Sequence, residues 1–380
     1  MNNTLKIISV DDHVQEPANL WTERLSKSRW GERIPHIERQ ADGTERWFVD
    51  GRILPLGGVA SAGAVMDDRN AQPQRWDEVP RAAYVPAERL KAMDADGIDC
   101  SVLYPTVAGA GGEVFGRILD PELELACIRA YNDWLVEEWA GASARFIPQC
   151  LVPLSDVEAA VQEIDRSVAK GHRGVILPGI PMELREMPHI NDLRYDPLWA
   201  ACRDARVPIC FHAGASAATQ LKPYAGFPPA VGGAFQALTR PASTIFVLVN
   251  LLLSRILFRF PELKVVFSES ALGWGSYLLE YADYQFEHDH IHLEGYPLKP
   301  SELFQRQCFL TGWYDAGSLK NLGLLTTDNV LWCTNFPLAT STWPDSRKFV
   351  ERSFTGIAES ARRQILWDNA AQLYKIEKTV

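Results

Sequence analysis

The chain has 380 residues, of which 47% are hydrophobic and 23% charged, and it carries a net charge of −10. That length suits one large core or two smaller ones, and the composition is that of a globular protein. The acidic balance, with no basic run to offset it, argues against nucleic acid as the main partner, because phosphate contacts need clustered Lys and Arg.

The first predicted strand is Lys6–Val10, which runs into Asp11-Asp12-His13-Val14-Gln15-Glu16-Pro17. Asp11 and His13 lie two residues apart and leave the same face of an extended backbone. With Glu16 as a third oxygen ligand nearby, they supply half of a divalent metal site. The plainer alternative makes Asp11 or Asp12 a helix cap and His13 a polar loop residue. From Glu16 to about Ala92 no βα unit is legible. The segment is rich in Trp, Arg and Pro and contains a hairpin pattern at Arg46–Leu54.

Further strands are expected at Cys100–Tyr104, Phe146–Leu151, Gly174–Leu177, Pro208–Phe211, Lys264–Phe267, Cys308–Leu310 and Val330–Cys333. Several are unbroken apolar runs, the pattern of strands covered on both faces in a parallel sheet. Helical patterns separate them. Asp120–Glu138 opens with a capping Asp and a proline at the first helical position. Asp156–Lys170 places Val157, Ala160, Val161, Ile164 and Val168 on one face, and Leu198–Ala205 is a shorter example. Eight such strands predict an α/β (β/α)8 barrel, a single domain over residues 1–380 with residues 16–92 inserted after strand one. An open doubly wound sheet would place a Gly-rich phosphate loop after strand one, and Asp-Asp-His stands there instead. The insertion is expected over the catalytic face, as a lid or a dimer contact.

Seven dispersed cysteines with no C-x-x-C pair read as reduced thiols. Met1–Lys6 lacks the apolar stretch of a signal peptide. The longest apolar run, Thr244–Leu253, is too short to cross a bilayer and reads as a buried helix. The expectation is a cytoplasmic protein with no membrane partner. The 12 Trp residues exceed what a core needs, so some are expected at the pocket or an interface.

Barrel enzymes carry their functional residues at the C-terminal ends of strands. Strand five ends in Phe211-His212-Ala213-Gly214, strand six in Phe267-Ser268-Glu269-Ser270, and strand eight in Thr334-Asn335-Phe336-Pro337-Leu338. His212 is a ligand or a hydrogen-bonded structural histidine. Glu269 points into the same mouth or pairs with an Arg. Asn335 occupies a position where a barrel hydrolase wants an acid. His288, His290 and His292 form either an extra metal tract or a solvated loop after a helix at Ser276–Gln285, and His172 and His189 read as loop residues.

Taken in order, Val10–Pro17, Tyr195-Asp196-Pro197-Leu198-Trp199, Phe211–Gly214, Glu269–Trp274, Asp328–Trp332, Asn335–Pro337 and Ser341–Pro344 resemble the amidohydrolase-related group of the metal-dependent amidohydrolase superfamily. That group contains hydrolases and non-oxidative decarboxylases on a (β/α)8 barrel. The resemblance implies a divalent metal held by Asp11, His13 and His212, with an acid after strand eight as ligand and general base. It places Glu269 beside the metal and Glu16 within reach of a second one. The family pattern after strand eight is Ser-Asp-Phe/Tyr-Pro-His, whereas Asn335 and Leu338 stand here. Asn335 can offer its amide oxygen to a metal and cannot accept a proton, so Glu269 or Asp12 is left as the candidate base.

The resulting expectation is a metal-dependent hydrolase or non-oxidative decarboxylase of a small carboxylated substrate, with Glu269 and Asn335 as catalytic groups. Asp11, His13, Glu16, His212 and Asn335 are the candidate ligands, for zinc first and manganese or iron as alternatives. A second reading is a subunit of a non-haem metal-dependent oxygenase, and a third is a degenerate structural subunit; either would pair with a paralogous chain. Oligomerisation is expected, as a homodimer or with such a paralogue.

Overall fold

The computed structural model describes residues 5–215 and 222–377. The predicted apolar runs form eight parallel strands: β1 (Ile8–His13), β2 (Cys100–Tyr104), β3 (Phe146–Pro148, resuming at Cys150–Leu151), β4 (Val175–Ile176), β5 (Ile209–His212), β6 (Val265–Ser268), β7 (Cys308–Gly312) and β8 (Val330–Trp332). Each pairs in parallel with the next. The ring closes where Asn335 N donates to Asp11 O at 3.0 Å and His13 N donates to Phe336 O at 2.6 Å. The barrel interior and the helix layer bury both faces of these strands, which is why they show no polar alternation.

Helix α1 (Pro86–Asp96) crosses from β1 to β2, α2 (Pro121–Trp134) leads to β3 and α3 (Val157–Lys170) to β4. The Asp120 side chain accepts from Glu122 N and Leu123 N, and Asp156 from Ala159 N, so both expected caps form. The inward face of α3 differs from the expected one, because Glu163 and Ser167 are buried beside Ala160 and Ile164. Asn132 of α2 explains this: its Nδ2 donates to Glu163 Oε1 at 2.7 Å, a partner that helical periodicity does not reveal. His172 is likewise a buried residue with a partner, its Nε2 3.0 Å from Asn132 O.

The inserted segment ends earlier than residue 92, since α1 begins at Pro86. The hairpin pairs Glu45–Val49 with Arg52–Ile53 and gains a third antiparallel strand, His36–Arg39. Its turn places Asp50 and Gly51 at φ 51° and 73°, the left-handed pair that a two-residue hairpin needs. Trp21, Trp47 and Trp76 stack edge to face across this segment, with Trp21 Nε1 donating to Cys127 O at 3.0 Å. The tryptophans therefore fasten the insertion to the barrel, and none of them lines the main cavity described below.

After β5 the chain forms α4's successors, α5 (Pro229–Thr239) and α6 (Ala242–Leu253), α4 itself being Asp196–Ala205. Residues Pro229–Leu253 are together long and apolar enough by composition to cross a membrane, with 33% of the window buried. Phe246 and Leu253 of the expected buried run are exposed. Arg240, between α5 and α6, is tied to Glu269 at the barrel mouth, which holds the pair against this fold. Helix α7 (Gly273–His288) follows β6 and carries His288 at its end, stacked on Tyr284. All seven cysteines are unpaired and buried. Residues 1–4 of the segment weighed as a leader lie outside the described residues.

Candidate metal centre

The register of β1 against β2 slips between Ser9 and Asp12, and the adjacent carboxylates of Asp11 and Asp12 go to different places, as successive strand side chains do. Asp11 joins His13 and His212 in a group whose candidate ligand atoms lie within 4.8 Å of one another, all buried. Asp11 Oδ1 is 3.5 Å from His13 Nε2 and 3.4 Å from His212 Nε2. Each imidazole is backed by a main-chain carbonyl, His13 Nδ1 by Pro105 O at 3.3 Å and His212 Nδ1 by Ala213 O at 2.8 Å. That arrangement makes Nδ1 the donor and turns both Nε2 atoms towards Asp11, the orientation that histidine ligands adopt.

Both carboxylate oxygens of Asp11, both Nε2 atoms and Asn335 Oδ1 are buried and without a hydrogen-bond partner. Native structures rarely leave such atoms unsatisfied, and each costs about 1–3 kcal/mol. Burial holds the His13 ring down to about 4; burial acts on His212 too, but the Asp11 carboxylate lifts it to about 9. The ion-free pair thus keeps one proton beside Asp11, in the place where a cation fits.

Asn335 is held by its amide nitrogen, which donates to Glu269 Oε1 at 3.0 Å and Thr340 Oγ1 at 2.8 Å. Its oxygen is turned the other way. Glu269 also accepts both of its Arg240 bonds from Nη1, at 3.1 and 3.0 Å, and its Oε2 is 4.0 Å from His212 Nδ1. Glu269 and Asn335 sit at φ 51° and 60°, a left-handed backbone that Asn tolerates and Glu adopts only under constraint. Two strand ends thus carry their polar side chains on left-handed turns that meet at the same point, with the backbone constraint at Glu269.

Glu16 is not brought into this group. Its carboxylate accepts from Thr106 N, Val107 N and Ala108 N, of which Val107 N at 2.9 Å is nearest, and burial raises it to about 7. It anchors the loop after β2, so the two-metal premise of the oxygenase reading loses its ligand. Asp12 is equally engaged: it accepts from Ser9 Oγ at 2.8 Å, Ser101 Oγ at 2.5 Å, Phe336 N at 3.0 Å and Thr334 Oγ1. Burial lifts it to about 6, and it ties β1, β2 and β8 together rather than facing the mouth as a base. The histidines at 288, 290 and 292 form no candidate metal group among the described residues.

A cavity of about 910 Å³ opens above His13 and His212 and is walled partly by the insertion, through Asp50, Arg52–Leu56, Arg69, Asn70 and Gln72. Sequence reasoning assigned none of its Arg, Asp or Glu wall residues, Arg240 and Glu113 among them. Arg240 interrupts an apolar helical stretch, and Glu113 follows the run Gly109-Ala110-Gly111-Gly112; both irregularities were visible as signals.

The family model described as amidohydrolase matches residues 48–376. The chain is 23% identical over 350 residues to a gamma-resorcylate decarboxylase of Polaromonas sp., covering 87% of this chain and 100% of that protein. It is 25% identical over 321 residues to one from Rhizobium radiobacter, covering 80% and 91%. Among solved structures, an amidohydrolase from Mycobacterium avium subsp. paratuberculosis superposes with a TM-score of 0.76 at 21% identity, covering 98% and 99%. A dihydroxybenzoic acid decarboxylase from Polaromonas sp., with bound manganese and the inhibitor 2-nitroresorcinol, superposes with a TM-score of 0.66 at 20% identity, covering 97% of each chain.

Proposed function

Because this chain belongs to the amidohydrolase family, we propose that it is a metal-dependent non-oxidative decarboxylase acting on a small aromatic carboxylate. The observation that carries the reading is the set of buried, unpartnered atoms on Asp11, His13, His212 and Asn335. These four residues are the proposed ligands. A divalent cation there would supply Lewis-acid polarisation of substrate oxygens. Manganese is proposed first, since two of the four donors are hard oxygens and a similar structure carries that ion; zinc is the alternative.

Asn335 separates the two activities expected of the family. Hydrolysis needs a base to activate water, and no carboxylate stands after β8. Loss of CO2 needs no activated water: the carbon–carboxylate bond breaks, its electron pair stays on the ring carbon, and a proton is delivered there. That proton would come from solvent through the cavity, and Glu269, held in place by Arg240 and by Asn335 Nδ2, is the proposed relay that takes it up and passes it to the ring carbon. With a single carboxylate among the ligands, a divalent cation keeps a net positive charge that favours an anionic substrate.

The insertion is proposed as a wall and lid of the cavity, given the residues it contributes there. A cytoplasmic location is in keeping with seven unpaired cysteines. Self-association is proposed through exposed tyrosines such as Tyr277, Tyr281 and Tyr284, since no Trp is among the strongly exposed apolar residues. The function is tested by loading the protein with Mn2+ and following CO2 and resorcinol release from 2,6-dihydroxybenzoate and related hydroxybenzoates. Hydrolysis of an ester or lactone in place of decarboxylation, or a protein that takes up no divalent cation, would refute it.

A further inference from the structure

Two carboxylates at the barrel mouth differ in standing: Glu269, beside the candidate ligands, and Glu113, in the cavity wall. Glu269 is saturated by Arg240 and Asn335, whereas the hydrogen bonds to the Glu113 carboxylate come from main-chain donors, Gly111 N to Oε2 at 3.0 Å among them. Among the described residues no Lys or Arg pairs with the Glu113 carboxylate; Arg117 reaches only its main-chain oxygen, at 3.2 Å. The loop is built around this side chain. A Cβ on Gly109 would lie 2.4 Å from the Glu113 carboxyl carbon, and Gly109 itself stands at φ 84°. Glycine at 109 therefore meets two demands, the turn and the space for the carboxyl group. Glu113 lines the same cavity as His13, His212 and Arg240, and among the described residues no ion pair or side-chain donor fills its remaining acceptor capacity, although the charges of Arg240 and Arg117 act on it from further away.

We propose that Glu113 is a specificity residue that accepts a hydrogen bond from a hydroxyl or amino substituent beside the reacting carboxylate of the substrate. Burial pushes the Glu113 carboxyl upward, against the help of the Gly111 amide and the neighbouring His212 and Arg117 charges, so the group gains from a donor brought by the ligand. A pocket that holds an acceptor with capacity left over discriminates against a ligand lacking a donor for it, because binding would then strand that capacity away from water. The assignment rests on the decarboxylase reading for the class of ligand and adds the residue that selects among its members.

The test is calorimetric binding of 2-nitroresorcinol and nitrobenzene to the manganese-loaded full chain, for wild type, Glu113→Leu and Glu113→Gln. Wild type is expected to prefer 2-nitroresorcinol by about tenfold or more. Glu113→Leu should abolish that preference while nitrobenzene affinity holds. Glu113→Gln, which can still accept from Gly111 N, should retain the fold and part of the preference. An unchanged preference in both variants, or equal loss of both ligands, overturns the assignment and leaves the decarboxylase reading standing. Binding of neither ligand to the metal-loaded wild type overturns both.

Discussion

Replacing Asn335 by Asp restores the acid of the family pattern and tests whether the neutral amide is an adaptation to Glu269. Asn335 Nδ2 lies 3.0 Å from Glu269 Oε1 and 2.8 Å from Thr340 Oγ1. Asn335→Asp puts an oxygen where the donor nitrogen stands, beside a carboxylate already engaged by Arg240. Two unit charges 3 Å apart repel by about 5 kcal/mol at an effective dielectric of 20, and Arg240 and local relaxation remove part of that. The metal-free variant should lose roughly 2–4 kcal/mol of stability at pH 8. A carboxyl group held above its unfolded value contributes a penalty that is absent below about pH 4 and grows as pH rises towards the folded value. The deficit should therefore shrink when denaturation is measured at pH 5. Mn2+ should reverse it, because the new carboxylate turns from a repelled charge into a ligand. The assay is urea denaturation of wild type and variant at both pH values, with EDTA or with saturating Mn2+. A metal-free variant as stable as wild type at pH 8 would refute the placement of Nδ2 against Glu269.

Manganese affinity should rise about tenfold per pH unit between pH 6 and 8 and level off above about pH 9, since binding displaces the single proton held on His212; titration calorimetry in buffers of differing ionisation enthalpy reads the proton release. His13, already held down to about 4, adds no further slope in that range. Glu16→Gln should leave the metal content at one ion per chain by elemental analysis, whereas His212→Ala should reduce affinity by about 100-fold or more. Asp12→Asn replaces by an amide nitrogen either Oδ2, the acceptor of Ser101 Oγ, or Oδ1, the acceptor of Ser9, Thr334 and Phe336 N, and removes the charge they share; it should cost roughly 2–4 kcal/mol in denaturation while the metal content stays unchanged.

The eight strands and the caps at Asp120 and Asp156 were legible from local pattern, because burial on both faces forces continuous apolar runs and because a cap is made within three residues of its own position. Chain order and the closed barrel place strand ends at one mouth, so Asp11, His13 and His212 could be grouped before any coordinate was known. The roles of Asp12 and Glu16 could not be read that way. All three acids of the strand-one cluster look alike in sequence, and their division into one open carboxylate and two structural ones depends on donors from residues 101, 106–108, 334 and 336, brought in by other strands and loops. Arg240 and Glu113 likewise reach the cavity only through the path of the chain after β5 and β2. Sequence alone determined the barrel, which follows from periodicity and strand order, and through the family resemblance it singled out Asp11, His13 and His212 as candidate ligands. Tertiary structure decided which charges face that place, since hydrogen-bond partners far apart in the chain set the direction of each side chain.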